Sequence, residues 1–484
     1  MSRWSVVVSV ALWFAAGSAL ADSACRVDVS LRESPGLVAD VAMVCPATDR
    51  INFSADNPRL ARLMSAVRDS YDGEALSGGR FDVPARRGMA SIQYSIDIDA
   101  ALNEGERISF GVRVGRSRLL LLEAWLVQPR NAGVPLDLAI AVQAPPEINF
   151  AVGLPLRDGR YRLIDAPVRF AGYSVMGRFE LRELRVPGIG AGRDGASSSR
   201  PEESTIRLAL LDGQFAVDPA RLGEWVRRTS LGVSEYFQGY TAPEALIALV
   251  PVPGAAVSYG RVVPGGGITM VVQVGQQASA RTLYEDWILT HETIHTGTPF
   301  VYGRGTWIME GLATYIEPII RARIGWKSED DVWREWLTNM RRGLFALTEN
   351  GLIASSGGGA NYWGGALFML MADLQMREFS AGRYGLEDCL RGLLHEGNNA
   401  TQRWSVTEFI DGCDRATGGT VMADLAARYA FAGSPLDLDD LWRRLGVRLD
   451  ANQVVYDDTA PLAAMRKLIM MGDPRRPARS IARE

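Results

Sequence analysis

Two of the three histidines in the 484-residue chain, His291 and His295, stand four positions apart, with Glu292 directly after the first. On a helix, residues i and i+4 lie one above the other on one face, so both imidazoles can reach a single metal ion. Glu292 then lies beside that ion, where a carboxylate can take a proton from water. The spacing predicts a zinc site with a general base. The alternative is a helix with two buried histidines bonded to their neighbours.

A third zinc ligand is predicted at Glu310. Catalytic zinc takes three protein ligands and leaves one position open, and we expect one Zn²⁺ per chain. Thr306 is expected to cap a helix that begins at Trp307, which puts Glu310 in the first turn, where the helix dipole favours a carboxylate. Thr314 and Glu317 follow on the same face. They are candidates to accept a hydrogen bond from a ligating histidine, or are ordinary helix residues.

The helix that carries the histidines has its own start and stop signals. Thr282 and Glu285 have the spacing of a capping box, in which each side chain bonds the backbone N–H of the other position. Gly297 is expected to end the helix. The pattern therefore predicts one continuous helix through the metal-binding residues.

The first 21 residues predict an exported protein. A short basic start at Arg3, an apolar run over residues 6–16 and the small residues 19–21 are typical of a cleavable secretory signal peptide. No later apolar run approaches the ~20 residues of a spanning helix, so we expect no stable membrane anchor after cleavage. The expected location is secreted or periplasmic. The net charge of −4 argues against a nucleic-acid partner.

The order of patterns predicts an α+β chain, with an N-terminal antiparallel β domain, a catalytic domain and a helical C-terminal subdomain. Short alternating runs of apolar and polar residues come first, a Gly- and Ser-rich stretch follows, and helical spacing dominates the end. The predicted segments are a β-rich domain at 22–187, a flexible linker at 188–204, the catalytic domain at 205–325, helices at 326–470 and a disordered Arg- and Pro-rich tail at 471–484.

Four cysteines in an exported chain favour disulfides. Cys25 and Cys45 are symmetric about Pro35, so a hairpin turning there would set the two sulfurs opposite each other. Cys389 and Cys413 form the natural second pair. Other connectivities remain open, and none of the cysteines has the spacing of a zinc site.

Three motifs carry a resemblance to a known family: HETIH at 291–295, WIMEGLATY at 307–315 and YWGGAL at 362–367. In this order they resemble the gluzincin aminopeptidases, and they are most similar to the glycyl aminopeptidase family, peptidase family M sixty-one, without an obvious PDZ module. The resemblance implies a thermolysin-like zinc peptidase domain acting on peptides or proteins. It also implies that Tyr362 donates a hydrogen bond to the tetrahedral oxyanion. The alternative for Tyr362 is an aromatic residue that packs in the core.

The sequence departs from that family before the metal helix. Gly266 and Gly267 match its glycines, but Thr269 stands where the family has the Glu that binds a free amino group, which leaves aminopeptidase specificity open. The strand predicted at 268–274 is expected to receive an extended substrate by strand addition, unless it lies inside a sheet. The short insert between His295 and Glu310 predicts a trimmed loop over the cleft.

We therefore expect an exported zinc metallopeptidase in which Glu292 acts as general base, with aminopeptidase or internal cleavage left open. The alternative function is a degenerate relative that binds peptides or a protein partner without turnover. Thr269 and the shortened insert favour that alternative. The complete set of predicted ligands and the base argue against it.

Overall fold

The computed structural model describes residues 24–33, 35–71, 73–103, 108–130, 136–189 and 202–471. The predicted signal peptide, residues 190–201 of the predicted linker and the tail beyond residue 471 lie outside the described residues. The α+β fold class, with an N-terminal sheet domain and a helical C-terminal region, is confirmed.

The first domain is built from short strands whose apolar side chains alternate inward, as the sequence pattern predicted. Its helices are α1 (Pro58–Leu63) and α2 (Ile98–Asn103). Its strands are β1 (Cys25–Glu33), β2 (Leu37–Pro46), β3 (Arg50–Ser54), β4 (Met64–Asp69), β5 (Arg80–Pro84), β6 (Met89–Asp97), β7 (Gly111–Val114), β8 (Ser117–Leu121), β9 (Gln128–Arg130), β10 (Asp137–Gln143), β11 (Asn149–Val152), β12 (Leu156–Arg157), β13 (Arg160–Ile164) and β14 (Tyr173–Gly177).

These strands form a large sheet in the order β12-β13-β10-β1-β2-β6-β4, and two smaller sheets, β11-β14-β8-β7 and β5-β3-β9. All neighbours in the large sheet are antiparallel except β1 and β10. The β1–β2 hairpin brings Cys25 and Cys45 to a Cα–Cα distance of 4.1 Å, and they form a disulfide. The predicted first pair is therefore present.

The second sheet supports the metal-binding region. Its strands are β15 (Phe179–Pro187), β16 (Glu203–Leu211), β17 (Glu244–Val252), β18 (Val257–Val263) and β19 (Ile268–Gly275), in the order β15-β16-β17-β19-β18. Strand β15 lies within the segment assigned to the first domain, yet it pairs along its whole length with β16. The predicted boundary at residue 187 thus falls between two strands of one hairpin.

Strand β19 lies inside this sheet, parallel to β17 on one side and antiparallel to β18 on the other. Its backbone groups are used by both neighbours, so it has no free edge for a substrate strand. Of the two alternatives for residues 268–274, the structure therefore shows the interior strand and not an edge that could receive a peptide. Within the described chain, the free edge on this side belongs to β18.

The rest of the described chain is mostly helical. Its short strands are β20 (Phe300–Val301), β21 (Arg403–Trp404), β22 (Val447–Asp450) and β23 (Gln453–Tyr456). Its helices, together with α3 between β16 and β17, are α3 (Pro219–Phe237), α4 (Ala280–Glu285), α5 (Ile288–His295), α6 (Thr306–Arg323), α7 (Glu329–Asn339), α8 (Gly365–Phe379), α9 (Leu386–His395), α10 (Val406–Thr417), α11 (Val421–Tyr429), α12 (Leu438–Leu445) and α13 (Ala463–Met471).

Helices α6 and α8 form the centre of the helical core, which contains the fully buried Trp307, Tyr315 and Phe368. A Cβ atom on Gly311 of α6 would lie 2.4 Å from the carbonyl carbon of Gly365 at the start of α8, so the two backbones touch. Only glycine permits such an approach. The glycines of the second and third motifs are thus explained by helix packing.

The second predicted disulfide is also present. Cys389 of α9 and Cys413 of α10 are bonded, with a Cα–Cα distance of 4.7 Å. Of the helices that the structure describes, none is long and apolar enough to cross a membrane.

Candidate metal centre

The metal-binding helix begins differently from the prediction. The reciprocal cap is formed by Ser279 and Thr282, and it opens the separate helix α4, which ends at Glu285. The chain then turns at Asp286, whose carboxylate accepts hydrogen bonds of 3.0 Å from the backbone N–H groups of Ile288 and Leu289. These are donors that the first turn of a helix leaves unpaired. Asp286 therefore starts α5, and the predicted continuous helix was wrong.

The eight-residue helix α5 presents both histidines toward α6. The Nε2 atom of His291 lies 3.1 Å from Glu310 Oε2, and the Nε2 atom of His295 lies 3.8 Å from the same oxygen. The ligand atoms of all three residues lie within 4.8 Å of one another. The structure thus brings the three predicted ligands together.

The donor set fits a catalytic zinc ion. Two neutral imidazoles and one carboxylate are the ligands of thermolysin-type zinc sites, which keep a position free for water. Burial lowers the pKa of His295 to about 3, helped by the neighbouring His291, so its ring is neutral and able to ligate at neutral pH. Burial tends to raise the pKa of Glu310, but the hydrogen bond with His291 and the electrostatic interaction with the two histidine rings hold it below its usual value. Glu310 is therefore ionised.

Glu310 lies on helix α6, but Thr306 does not cap this helix. Gly305 occupies the N-cap position without a side-chain bond, and Thr306 is the first helical residue. Glu310 consequently lies in the second turn, one residue deeper than predicted. Its position is set by packing of the neighbouring Trp307, which is fully buried against Phe368 with ring centroids 4.9 Å apart.

The carboxyl group of Glu292 lies between the metal ligands and the free edge of the sheet. Burial, followed by the charge of Glu310, raises its pKa to about 7 against the opposing effect of His291. It also accepts a backbone hydrogen bond from Val262 of β18. A carboxyl group with a pKa near the operating pH is suited to receive and return a proton.

Strand β18 passes unusually close to this carboxyl group. A Cβ atom on Gly260 would lie 2.5 Å from both Glu292 Cγ and Ile288 Cγ2. Gly260 was not predicted from the sequence as part of the site. An isolated glycine within an apolar strand is a known signal of close backbone approach, so the sequence did contain a clue.

Tyr362 lies in a π-helical segment, Gly359–Gly364, directly before α8. Its ring stacks on His291 with centroids 5.9 Å apart and an interplanar angle of 14°. Burial and the nearby Glu310 raise the pKa of its phenol well above the usual value, so the group stays a hydrogen-bond donor. The structure therefore places Tyr362 beside the predicted metal ligands.

Thr314 and Glu317 line a cavity of about 630 Å³ together with His291. Burial raises the pKa of Glu317 to about 7, and its carboxyl group accepts a 2.9 Å hydrogen bond from Arg321. Arg321 also donates to the carbonyl oxygen of Glu285, 2.9 Å away, just before α5. Among the described contacts, Glu317 bonds Arg321 and neither histidine. The predicted bond from a histidine to Glu317 or Thr314 is not formed.

Gly266, Gly267 and Thr269 lie at the junction with the first domain. A Cβ atom on Gly266 would meet Leu163 Cδ1 at 2.1 Å, and one on Gly267 would meet Leu154 Cδ2 at 2.7 Å. Thr269 is fully buried, and its hydroxyl has no hydrogen-bond partner in the described chain. The assignment of these residues to substrate binding is therefore corrected, because they join two domains.

No protein-family model matches the sequence, and no curated protein matches it. Among solved structures, an aminopeptidase N family protein from Idiomarina loihiensis is similar, with a TM-score of 0.62 and 14% identity, over 87% of this chain and 78% of that one. An M1 zinc metallopeptidase from Deinococcus radiodurans has a TM-score of 0.47 and 16% identity, over 85% of this chain and 94% of its own. That TM-score is too low to bear on the fold.

The first of these similarities concerns the fold alone, because the identity is low. The predicted closer resemblance to the glycyl aminopeptidase family is not confirmed. Over 87% of its length, this chain is similar in fold to an aminopeptidase N family protein.

Proposed function

We propose that the protein is a zinc metallopeptidase that hydrolyses peptide bonds in peptide or protein substrates. The observation that carries this proposal is the convergence of His291, His295 and Glu310 within 4.8 Å, with the Glu292 carboxyl group beside them. The solved relative that supports the fold is described as an aminopeptidase N family protein. A degenerate binding protein would not require both a full ligand set and an adjacent base.

Each side chain of the site has a defined task. Bound zinc supplies Lewis-acid activation of water and of the substrate carbonyl. Glu292 accepts the proton of the attacking water and returns it to the leaving amine. Tyr362 donates a hydrogen bond to the oxyanion that develops on the substrate carbonyl.

We propose the free edge of β18 as the place where the substrate backbone lies. An extended peptide can add there as a further antiparallel or parallel strand, and Gly260 lets that edge approach Glu292. Strand β18 has no acidic residue and carries Arg261, so it offers no counter-ion to a free α-amino group. We therefore expect peptides with an acetylated N-terminus to be cut as well as free ones.

The decisive experiment is the Glu292→Gln variant. Zinc content should remain one ion per chain, because Glu292 is not a ligand, whereas digestion of a mixed peptide library should fall by about 10²–10⁴-fold. Glu224→Gln is the matched control, since Glu224 pairs only with Arg227 on the exposed face of α3 among the described residues. Full activity in Glu292→Gln contradicts the proposed mechanism. Absence of stoichiometric zinc and of any cleavage in the wild type favours a binding protein instead.

We also propose that the protein is exported to the periplasm or secreted. Two disulfides and the lack of a spanning helix in the described residues are compatible with this location. Expression in a bacterium followed by fractionation and N-terminal sequencing tests it. Mature protein that begins at Asp22 outside the cytoplasm supports the proposal, and an uncleaved cytoplasmic chain contradicts it.

A further inference from the structure

The cavity beside His291 is large enough for a substrate side chain. Its volume of about 630 Å³ falls in the usual range for ligand pockets, ~300–1,000 Å³. It is bounded by the chain before α5, the middle of α6, helix α7 and the segment that carries Tyr362. Since His291 and Tyr362 belong to its wall, the cavity opens directly onto the candidate reaction centre.

Aromatic rings form the part of the wall nearest to the metal ligands. The ring of Trp287 stands edge-on to His291 with centroids 5.1 Å apart, and 47% of its surface is exposed. Tyr362 and Trp363 line the same cavity. These side chains give the entrance an apolar surface on which the stem of a substrate side chain can pack.

The remaining wall carries three carboxylates and three cations, and two of each are paired within it. Glu317 is paired with Arg321, and Glu335 is paired with Lys327, one of only two lysines in the chain. The third carboxylate, Glu285, is paired with Arg281, which does not line the cavity.

One cation is then left over. Arg342 lines the cavity, and no carboxylate in the described part of the chain forms an ion pair with it. The neighbouring Arg341 points elsewhere and pairs with Asp439. Deeper in the wall, the Nε atom of the buried Arg321 has no hydrogen-bond partner among the described residues. Both features favour an incoming group that accepts hydrogen bonds and carries negative charge.

We infer that this cavity binds a carboxylate-bearing part of the peptide next to the cleaved bond, with Arg342 as its counter-ion. The carboxylate comes either from a Glu or Asp side chain or from a free C-terminus. This inference rests on the proposed peptidase function and specifies which substrates that function selects.

The test uses matched peptides and the zinc-loaded full-length chain. One peptide has an internal Glu and both ends blocked; others replace it with Gln, Lys or Phe; a last one has Gln and a free C-terminal carboxylate. Cleavage sites and kcat/KM are measured for the wild type, Arg342→Gln and Arg342→Glu. Binding of the same peptides is measured by calorimetry in the Glu292→Gln background. This measurement does not depend on turnover.

Wild type should prefer a carboxylate-bearing peptide over its Gln counterpart by about tenfold in both readouts. Arg342→Gln should remove that preference, and Arg342→Glu should favour the Lys peptide. Arg341→Gln, one residue away and outside the cavity, should behave as wild type. Preference for the Glu peptide identifies a side chain as the source, and preference for the free C-terminus identifies the terminal carboxylate.

Equal binding of the Glu and Gln peptides, a preference for Phe alone, or a carboxylate preference that survives in Arg342→Gln would overturn the inference. These failures differ from failure of the proposed function. If the wild type cuts no peptide, hydrolysis is refuted, while the binding preference in the Glu292→Gln background still decides the role of Arg342.

Discussion

At the scale of single residues, the candidate site consists of five side chains that come from two helices and one π-helical turn: His291, Glu292, His295, Glu310 and Tyr362. The histidine spacing was enough to identify the first three, because i and i+4 neighbours share a face of any helix. Identifying Glu310 and Tyr362 required the resemblance or helix register. No local sequence pattern predicts which distant helix packs against α5.

Replacing Tyr362 with Phe removes only the phenol oxygen. The ring still stacks on His291, so folding should be unchanged, and zinc should still bind because Glu310 loses only the hydrogen bond from the phenol. Loss of one oxyanion donor should reduce kcat by about 10²–10³-fold, with little change in substrate binding. Steady-state kinetics together with metal analysis checks this. An unchanged kcat would assign Tyr362 to packing.

The raised pKa of Glu292 makes the stability of the metal-free chain depend on pH. The unfolded carboxyl group loses its proton above about pH 4.3, whereas the folded one keeps it up to about 7. Between these values the folded state binds more protons, so the contribution of Glu292 to stability is lost as the pH rises.

Glu292→Gln abolishes this titration. Relative to wild type, the chelator-treated variant should therefore gain up to about 3 kcal/mol in unfolding free energy between pH 5 and pH 8. Urea denaturation at the two pH values gives the difference. If the variant and the wild type differ in unfolding free energy by the same amount at pH 5 and pH 8, Glu292 is ionised throughout this range.

At the scale of secondary-structure elements, register and pairing were the limits of prediction. A capping box is present, but it is formed by Ser279 and Thr282 and not by Thr282 and Glu285. Both pairs have the required spacing of three residues. The strand at Ile268–Gly275 was correctly expected as a strand. Its position inside the sheet depends on β17 and β18, and such long-range pairing is not encoded in a local pattern.

The contact between α6 and α8 predicts the effect of a single methyl group. Gly311→Ala would force the two helices apart, since the new Cβ would lie 2.4 Å from the backbone of Gly365. We expect a loss of about 1–3 kcal/mol in unfolding free energy and weaker zinc binding, because α6 carries Glu310.

The control for this change is Gly223→Ala on α3. There an added Cβ meets only one atom, Leu208 Cδ2, at 4.0 Å. Alanine is the better helix former, so this variant should be neutral or more stable by up to about 1 kcal/mol. Denaturant unfolding and zinc titration compare the two. Equal behaviour of both variants would contradict the proposed helix contact.

At the scale of the whole molecule, the start of β19 is one of the places where the second sheet packs against the first domain. Cβ atoms on Gly153 and Gly172 of the first domain would lie 2.7 Å and 2.5 Å from the Thr269 hydroxyl. The α+β class and the order of the parts were predictable from the sequence pattern. This junction was not predictable, because Gly266 and Gly267 matched the glycines of a functional motif in the family that the sequence resembles.

Thr269 therefore provides a test at the domain junction. Thr269→Glu should destabilise the protein by several kcal/mol and create no preference for free N-termini, because it would bury a charge without a partner. Thr269→Val should be neutral or more stable by about 1 kcal/mol, since the buried hydroxyl has no partner in the described structure. Thermal unfolding and a peptide digest distinguish these outcomes. A folded Thr269→Glu variant with new aminopeptidase selectivity would restore the original interpretation.

The glycine contacts around Tyr362 also limit how far Tyr362 and Glu310 can move relative to each other. Gly365 touches Gly311 of the helix that holds Glu310, and a Cβ on Gly343 would lie 2.0 Å from the backbone nitrogen of Gly364. The segment that carries Tyr362 is thus held between two backbones. In the mechanism that we propose, the hydrogen bond from Tyr362 to the oxyanion would be preorganised, so no substrate binding energy would be needed to reorganise this segment.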